Sequence, residues 1–226
     1  MNTDFLHDLL TDLTAVAPRP FETILIGGSA MMAHGLQDET KDVDLMFTGP
    51  ADRATFIEGT LARDFGAIDD PANQAATAGD RSIMLVRPDA TVIDCFLRRT
   101  THFTAPPGLV ARATPWITSG ESTVRLASLL DLLVLKSATG RSTDSAIALR
   151  ILDGTTIDWE VLHAALAEQA ADGNPRAFPD FALLMEEASA WHLTPPGFAR
   201  RLWRRIEADF SEMVSRAERQ PADGSR

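Results

Sequence analysis

Two carboxylates stand one residue apart inside an apolar run: in DVDLMF, Asp42 and Asp44 alternate with Val43, Leu45 and Phe47. The alternation predicts a strand over 41–47, with the apolar side chains on one face and both acids on the other. A carboxylate drawn out of water keeps its charge only where something cationic replaces the lost hydration. This strand therefore constrains the chain more than any other stretch, because it must lie in a sheet and still leave one face open to a cation. Just upstream, ILIGGSAMMAHG predicts a strand over 22–27, a tight turn at Gly27 and Gly28, and a short helix over 29–35.

Acids at i and i+2 of a strand project from the same face, close enough to bridge divalent cations. Mg²⁺ prefers one or two carboxylates together with substrate phosphate oxygens, so an open pair suits a metal–nucleotide complex better than a closed structural site. A third acid, Asp94, lies in VIDCF, flanked by Ile93 and Cys95 on the opposite face. It reaches the same cavity if the two strands are neighbours, and a third carboxylate would complete a two-metal arrangement. The glycine turn is the complement: its backbone can approach phosphate oxygens, and the helix that follows offers N–H groups to an anion. Ser29 can donate to the same phosphates or cap the helix. Taken singly, Gly-Gly-Ser is a tight turn and Asp-x-Asp a solvated strand face. Their succession, with the later apolar-flanked acid, is what points to chemistry.

At 226 residues, 45% of them hydrophobic, the chain has the length for one sizeable core or two small domains. No apolar run approaches the roughly 20 residues needed to cross a bilayer, and the acidic start MNTDFLHDLL is unlike a secretion signal. The expectation is a cytoplasmic protein. One cysteine, Cys95, leaves no internal disulfide and no multi-cysteine zinc site, and the five histidines fall at no metal-ligand spacing. A net charge of −11 argues against broad attraction to nucleic acid. Only two residues are lysines, Lys41 and Lys136, so a lysine inside an apolar helix draws notice.

Along the chain, helical spacing covers 4–16 and 51–65, a small polar loop is expected over 69–80, and strands flank RPDA as a hairpin before Asp94 and beyond it. A short strand near 123–126 is followed only by helical patterns, at 126–138, 143–152, 158–171, 179–191 and 196–216, and by a frayed tail from 219. The expected fold is α/β (α+β): a mixed sheet in a unit over 1–125, then an all-helical region over 126–226.

These residues resemble the DNA polymerase β-like nucleotidyltransferase superfamily. Its signature of a glycine turn, an Asp-x-Asp about a dozen residues later and a third acid on another strand stands here as Gly27, Gly28 and Ser29, Asp42 and Asp44, and Asp94. The resemblance implies a small twisted mixed sheet flanked by helices, and Mg²⁺-dependent (or Mn²⁺-dependent) transfer of a nucleoside monophosphate from an NTP. The stretch LKSATGRSTDSA resembles the Lys-x4-Arg-x2-Asp segment of the abortive-infection type-E toxins, with Lys136, Arg141 and Asp144 in the matching positions. That likeness implies that the lysine and the arginine touch the nucleotide phosphates, and it brings a protein regulator or antitoxin into view. A further Asp that such toxins often carry has no counterpart in the region of Ala148. Independently, Leu129 to Leu135 make their helix apolar nearly all round, so Lys136 is expected in or beside a cleft, the alternative being a lysine that snorkels from a helix end.

Arg200, Arg201, Arg204 and Arg205 cluster on one late helix, either to grip an RNA acceptor or, in so acidic a chain, as an ordinary charged surface. Arg98 and Arg99, just past Asp94, are expected nearer the site. The four tryptophans read as core or interface residues. Two functions follow: an NTP-dependent nucleotidyltransferase acting on tRNA, a protein or a small molecule, or a nucleotide-binding or partner-regulated protein that keeps the fold without turnover.

Overall fold

Alternation sets the centre of the molecule. Among the described residues, β2 (Asp42–Phe47) is the fourth of seven strands in a sheet ordered β3-β4-β5-β2-β1-β7-β6. A computed structural model describes residues 1–68, 82–194 and 197–219, so the loop expected over 69–80 and most of the tail expected from 219 lie outside the described residues. The other strands are β1 (Glu22–Ile26), β3 (Gly66–Ile68), β4 (Ile83–Val86), β5 (Val92–Leu97), β6 (Thr114–Ser119) and β7 (Ser122–Leu126). β2 runs antiparallel to β1 and parallel to β5, and β1 runs parallel to β7, so the sheet is mixed.

One face of the sheet is dry. Val43, Leu45, Phe47, Ile93, Cys95 and Leu97 are all buried there. Phe47 and Phe21 both pack on Phe56 of α3 (Pro50–Leu61), with ring centroids 5.5 and 5.4 Å apart. α1 (Thr3–Ala15) lies beside α3 and over β6 and β7, inserting Leu6, Leu10 and Leu13. The other face receives α2 (Gly27–Ala33) and, behind it, α5 (Leu129–Ala138). α6 (Ser142–Gly154), α7 (Trp159–Ala171) and α8 (Ala177–Ala190) pack around α5, and α9 (Phe198–Arg219) packs on α8. The short α4 (Pro107–Arg112) anchors them to the sheet half: Arg112 donates to Asp131 of α5 at 2.7 Å and to Glu168 of α7 at 3.0 Å. The chain is thus an α/β protein, a mixed sheet followed by helices. Among the described residues no helix is long and apolar enough to cross a membrane.

Several elements depart from the sequence expectation: β3, α4 and β6 stand where no strand or helix is expected, and α2 begins at Gly27 rather than at Ser29. The helix expected to reach Phe65 stops at Leu61, since Asp64 turns the chain at φ 62° into the three-residue β3. β6 carries Pro115 and a register shift beside it, tolerated because β6 is an edge strand and needs no second partner. α5 begins three residues later than its apolar run suggests, because the Ser128 side chain accepts the Asp131 N–H and so sets the first turn.

Candidate active site

On the open face the register aligns a row of side chains across four strands. Ile26 pairs with Asp44, Asp44 with Asp94, and Asp94 with Met84. Paired residues on neighbouring strands are about 4.8 Å apart and residues i and i+2 about 6.6 Å. Asp42, Asp44 and Asp94 therefore rise from one small area of sheet, the two strands being neighbours as the placement of Asp94 required.

The glycine turn closes directly on this area. Gly27 has φ +63°, and a Cβ added there would stand 1.9 Å from Asp44 Oδ2. The Gly28 backbone N–H lies near the Asp44 carboxylate and favours its charged form. Ser29 is fully buried, its hydroxyl donating to the Ile26 carbonyl at 3.0 Å and accepting the Asp44 N–H at 3.2 Å. The serine braces β1 against β2 beneath the turn. Beside it, Thr40 donates to the Asp42 carbonyl at 3.1 Å.

Burial raises the Asp44 carboxyl most, and the charges of Asp42 and Asp94 raise it further, against the opposing pull of Lys136 and of the Gly28 N–H; the result is a pKa pushed up from 3.8 to about 7. Lys136 and Asp144 are both buried and joined at 2.7 Å. Thr139 and Arg141 each meet the other Asp144 oxygen at 2.7 Å. Burial pushes Asp144 up, but the bonds from Lys136 and Thr139 and the charges of Lys136 and Arg141 outweigh it and hold the carboxyl below its usual range. Asp144 is thus the hub that aims the lysine and the arginine. Ala148, one helical turn on, is fully buried in the core.

A cleft of about 390 Å³ opens above Asp44, with Gly27, Lys136, Thr139 and Arg141 on one side. Its other side, formed by Phe96 and by Thr100, Thr101, His102 and Phe103, was not foreseen. Periodicity gives no signal in TTHFT; the strand Val92–Leu97 delivers it, with Phe96 on the same face as Asp94. Arg98 and Arg99, expected at the site, are exposed, and the four residues after them line the cleft instead. On α9, Arg201 pairs with Glu160 at 3.2 Å and Arg205 with Asp209 at 2.9 Å, as an ordinary charged surface would. Trp191 and Trp203 are exposed, whereas the Trp159 ring packs tilted against Phe198, with centroids 4.4 Å apart.

Among the described residues no three His, Cys, Asp or Glu side chains converge to enclose a metal ion. The donor set is instead an open one: adjoining carboxylates, of which Asp44 is lifted toward neutrality by burial first and by the charges of Asp42 and Asp94 second, a cost that a divalent cation relieves. The residues fit Mg²⁺ of the kind that completes its shell with ligand phosphates and water.

The approach of Gly27 to Asp44 yields a direct test. Gly27→Ala should destabilise the protein by about 2 kcal/mol or more, from the left-handed φ together with the collision. All three of the nearest atoms belong to the Asp44 side chain, so adding Asp44→Ala should recover much of that loss, a non-additivity that urea unfolding of the two single variants and the double would measure. Strict additivity would contradict the contact.

No family model and no curated protein matches the chain. Among solved structures, the crystal structure of ANT(2'')-Ia in complex with adenylyl-2''-tobramycin is similar at 15% identity and a TM-score of 0.49, over 72% of this chain and 96% of that one. The solution structure of the antibiotic-resistance factor ANT(2'')-Ia is similar at 12% identity and a TM-score of 0.49, over 84% and 100%. JHP933 from Helicobacter pylori is similar at 13% identity and a TM-score of 0.41, over 94% and 97%.

Proposed function

We propose that the cleft binds a nucleoside triphosphate with Mg²⁺ and that the protein transfers the nucleoside monophosphate to an acceptor hydroxyl. The observation that carries this reading is the register that sets Asp44 beside Asp94, under the glycine turn and within the field of Lys136. Asp42 and Asp44, with Asp94 beside them, would hold Mg²⁺, which when bound would supply positive charge favouring an ionised acceptor and a departing pyrophosphate. The chain's own groups do the rest. Lys136 has three donors and spends one on Asp144, leaving two for phosphate oxygens. Arg141 spends its Nε on Asp144, and its mostly exposed fork lines the same cleft. The acceptor oxygen bonds to the α-phosphorus, the bond to pyrophosphate breaks, and Asp94 receives the hydroxyl proton.

The net charge of −11 favours a small hydroxyl-bearing acceptor over RNA, whose phosphates such a surface repels. Calorimetric titration with each of the four NTPs, with and without Mg²⁺, tests the reading beside the double variant Asp42→Ala, Asp44→Ala. Binding is expected only with Mg²⁺ and only to the unaltered protein. A folded protein that binds no NTP in a Mg²⁺-dependent way would overturn it.

A further inference from the structure

The two sides of the cleft differ in chemistry. Lys136 and Arg141 put charge on one, whereas Phe96 and the segment from Thr100 to Phe103 bring no carboxylate, lysine or arginine to the other. That second side alternates rings with hydrogen-bonding groups, the Phe96 and Phe103 side chains with the Thr101 hydroxyl and the His102 imidazole, while the Thr100 hydroxyl accepts the His102 N–H at 3.3 Å within the turn. A ligand part that fits it is uncharged, flat on its faces and polar at its edges, and carries hydroxyls. A nucleoside is such a group, and the volume of about 390 Å³ lies within the range of small-ligand pockets.

The wall is also held in place from outside the sheet. Within it, Thr100 N–H donates to the Phe103 carbonyl at 2.7 Å, closing a turn. Behind it, the buried amide of Gln169 on α7 makes three bonds to Thr104: it accepts the backbone N–H at 2.9 Å and the hydroxyl at 3.1 Å, and donates to the carbonyl at 2.8 Å. Asn174, just past α7, donates to the His102 carbonyl at 2.8 Å. A polar side chain only 2% exposed that makes three hydrogen bonds to one residue of a loop is a device for fixing that loop.

Resting on the nucleotide reading above, we infer that Thr100, Thr101, His102 and Phe103 form the nucleoside end of the site and that Gln169 is the residue that positions them. The phosphates lie toward Gly27, Lys136 and Arg141, and the base and ribose reach the preset wall. Ordering the loop before the ligand arrives lowers the entropic cost of binding.

Calorimetry with two probes, Mg·NTP and Mg·tripolyphosphate, separates the two ends. The unaltered protein should bind the preferred NTP at least about tenfold tighter than tripolyphosphate, a difference of about 1.4 kcal/mol. Thr101 and His102 are exposed, so the double variant Thr101→Val, His102→Ala should fold normally. It should lose most of that advantage while binding tripolyphosphate as before. Gln169→Leu should act in the same direction without touching ligand, lowering NTP affinity and leaving tripolyphosphate affinity unchanged, a split that a general loss of stability would not produce. Unchanged NTP affinity in the double variant, or equal losses for both probes, would overturn the assignment. Should the unaltered protein bind neither probe, the nucleotide reading itself fails and takes the subsite with it; tripolyphosphate binding with no added affinity for any NTP fails the subsite alone.

Discussion

Asp44→Asn is expected to stabilise the protein against urea at pH 8 by about 2 kcal/mol while abolishing Mg²⁺-dependent NTP binding. The sign follows from the raised carboxyl. Asp44 moves from 3.8 to about 7 on folding, so between those values the folded chain holds a proton that the unfolded chain has released. Its contribution to stability is complete below pH 3.8 and is lost as the pH rises through 7. Each pKa unit is worth about 1.4 kcal/mol, which puts the full loss on the order of 4 kcal/mol, and an uncharged isostere regains a substantial part of it. The gain should therefore be largest at pH 8, smaller at pH 6 and nearly gone at pH 4. Mg²⁺ should narrow the gap from the other side, stabilising the unaltered protein at pH 8 and leaving the variant unmoved. A gain independent of pH would mean that ionisation of the buried Asp44 carboxyl is not its origin.

Asp144→Ala should destabilise the protein by roughly 3–5 kcal/mol, because it strands the Lys136 ammonium, 7% exposed, without its anion. Replacing the pair by apolar residues of similar volume, Lys136→Met with Asp144→Leu, should restore most of the stability, since a buried ion pair contributes little net to folding once both charges are gone. NTP binding should not return with it. That pattern, read by chemical denaturation and calorimetry side by side, distinguishes a pair kept for its cation from one kept for the fold. Were the double variant as unstable as Asp144→Ala alone, packing rather than the stranded charge would be the cause.

The strands that carry the acids were legible because alternation is a local property: Val43, Leu45 and Phe47 declare their face without reference to the rest of the chain. The pairing of Asp44 with Asp94 was not. Fifty residues separate them, and only the topology, in which β5 returns beside β2, brings them together. Lys136 stood out because a lone cation in an apolar helix needs a partner, and Asp144 is that partner. The wall from Thr100 to Phe103 escaped notice for the opposite reason: its threonines and histidine are ordinary loop residues, and their role is set by Gln169, more than sixty positions away. Ser29 illustrates a middle case. Its type and position suited a phosphate donor or a cap, and the structure places its hydroxyl between the backbones of Ile26 and Asp44.

The central position of β2 has a consequence for motion. Among the described residues three strands lie to each side of it, so its amides cannot be exposed by peeling an edge; the sheet must part in the middle. Amide hydrogen exchange at Val43 to Met46 should therefore proceed only through global unfolding and be among the slowest in the molecule. The chain keeps its most strongly repelling charges where the backbone yields last. Adjustment to an arriving ligand then falls to rotamers and to the helices around the cleft, while the carboxylates hold their spacing.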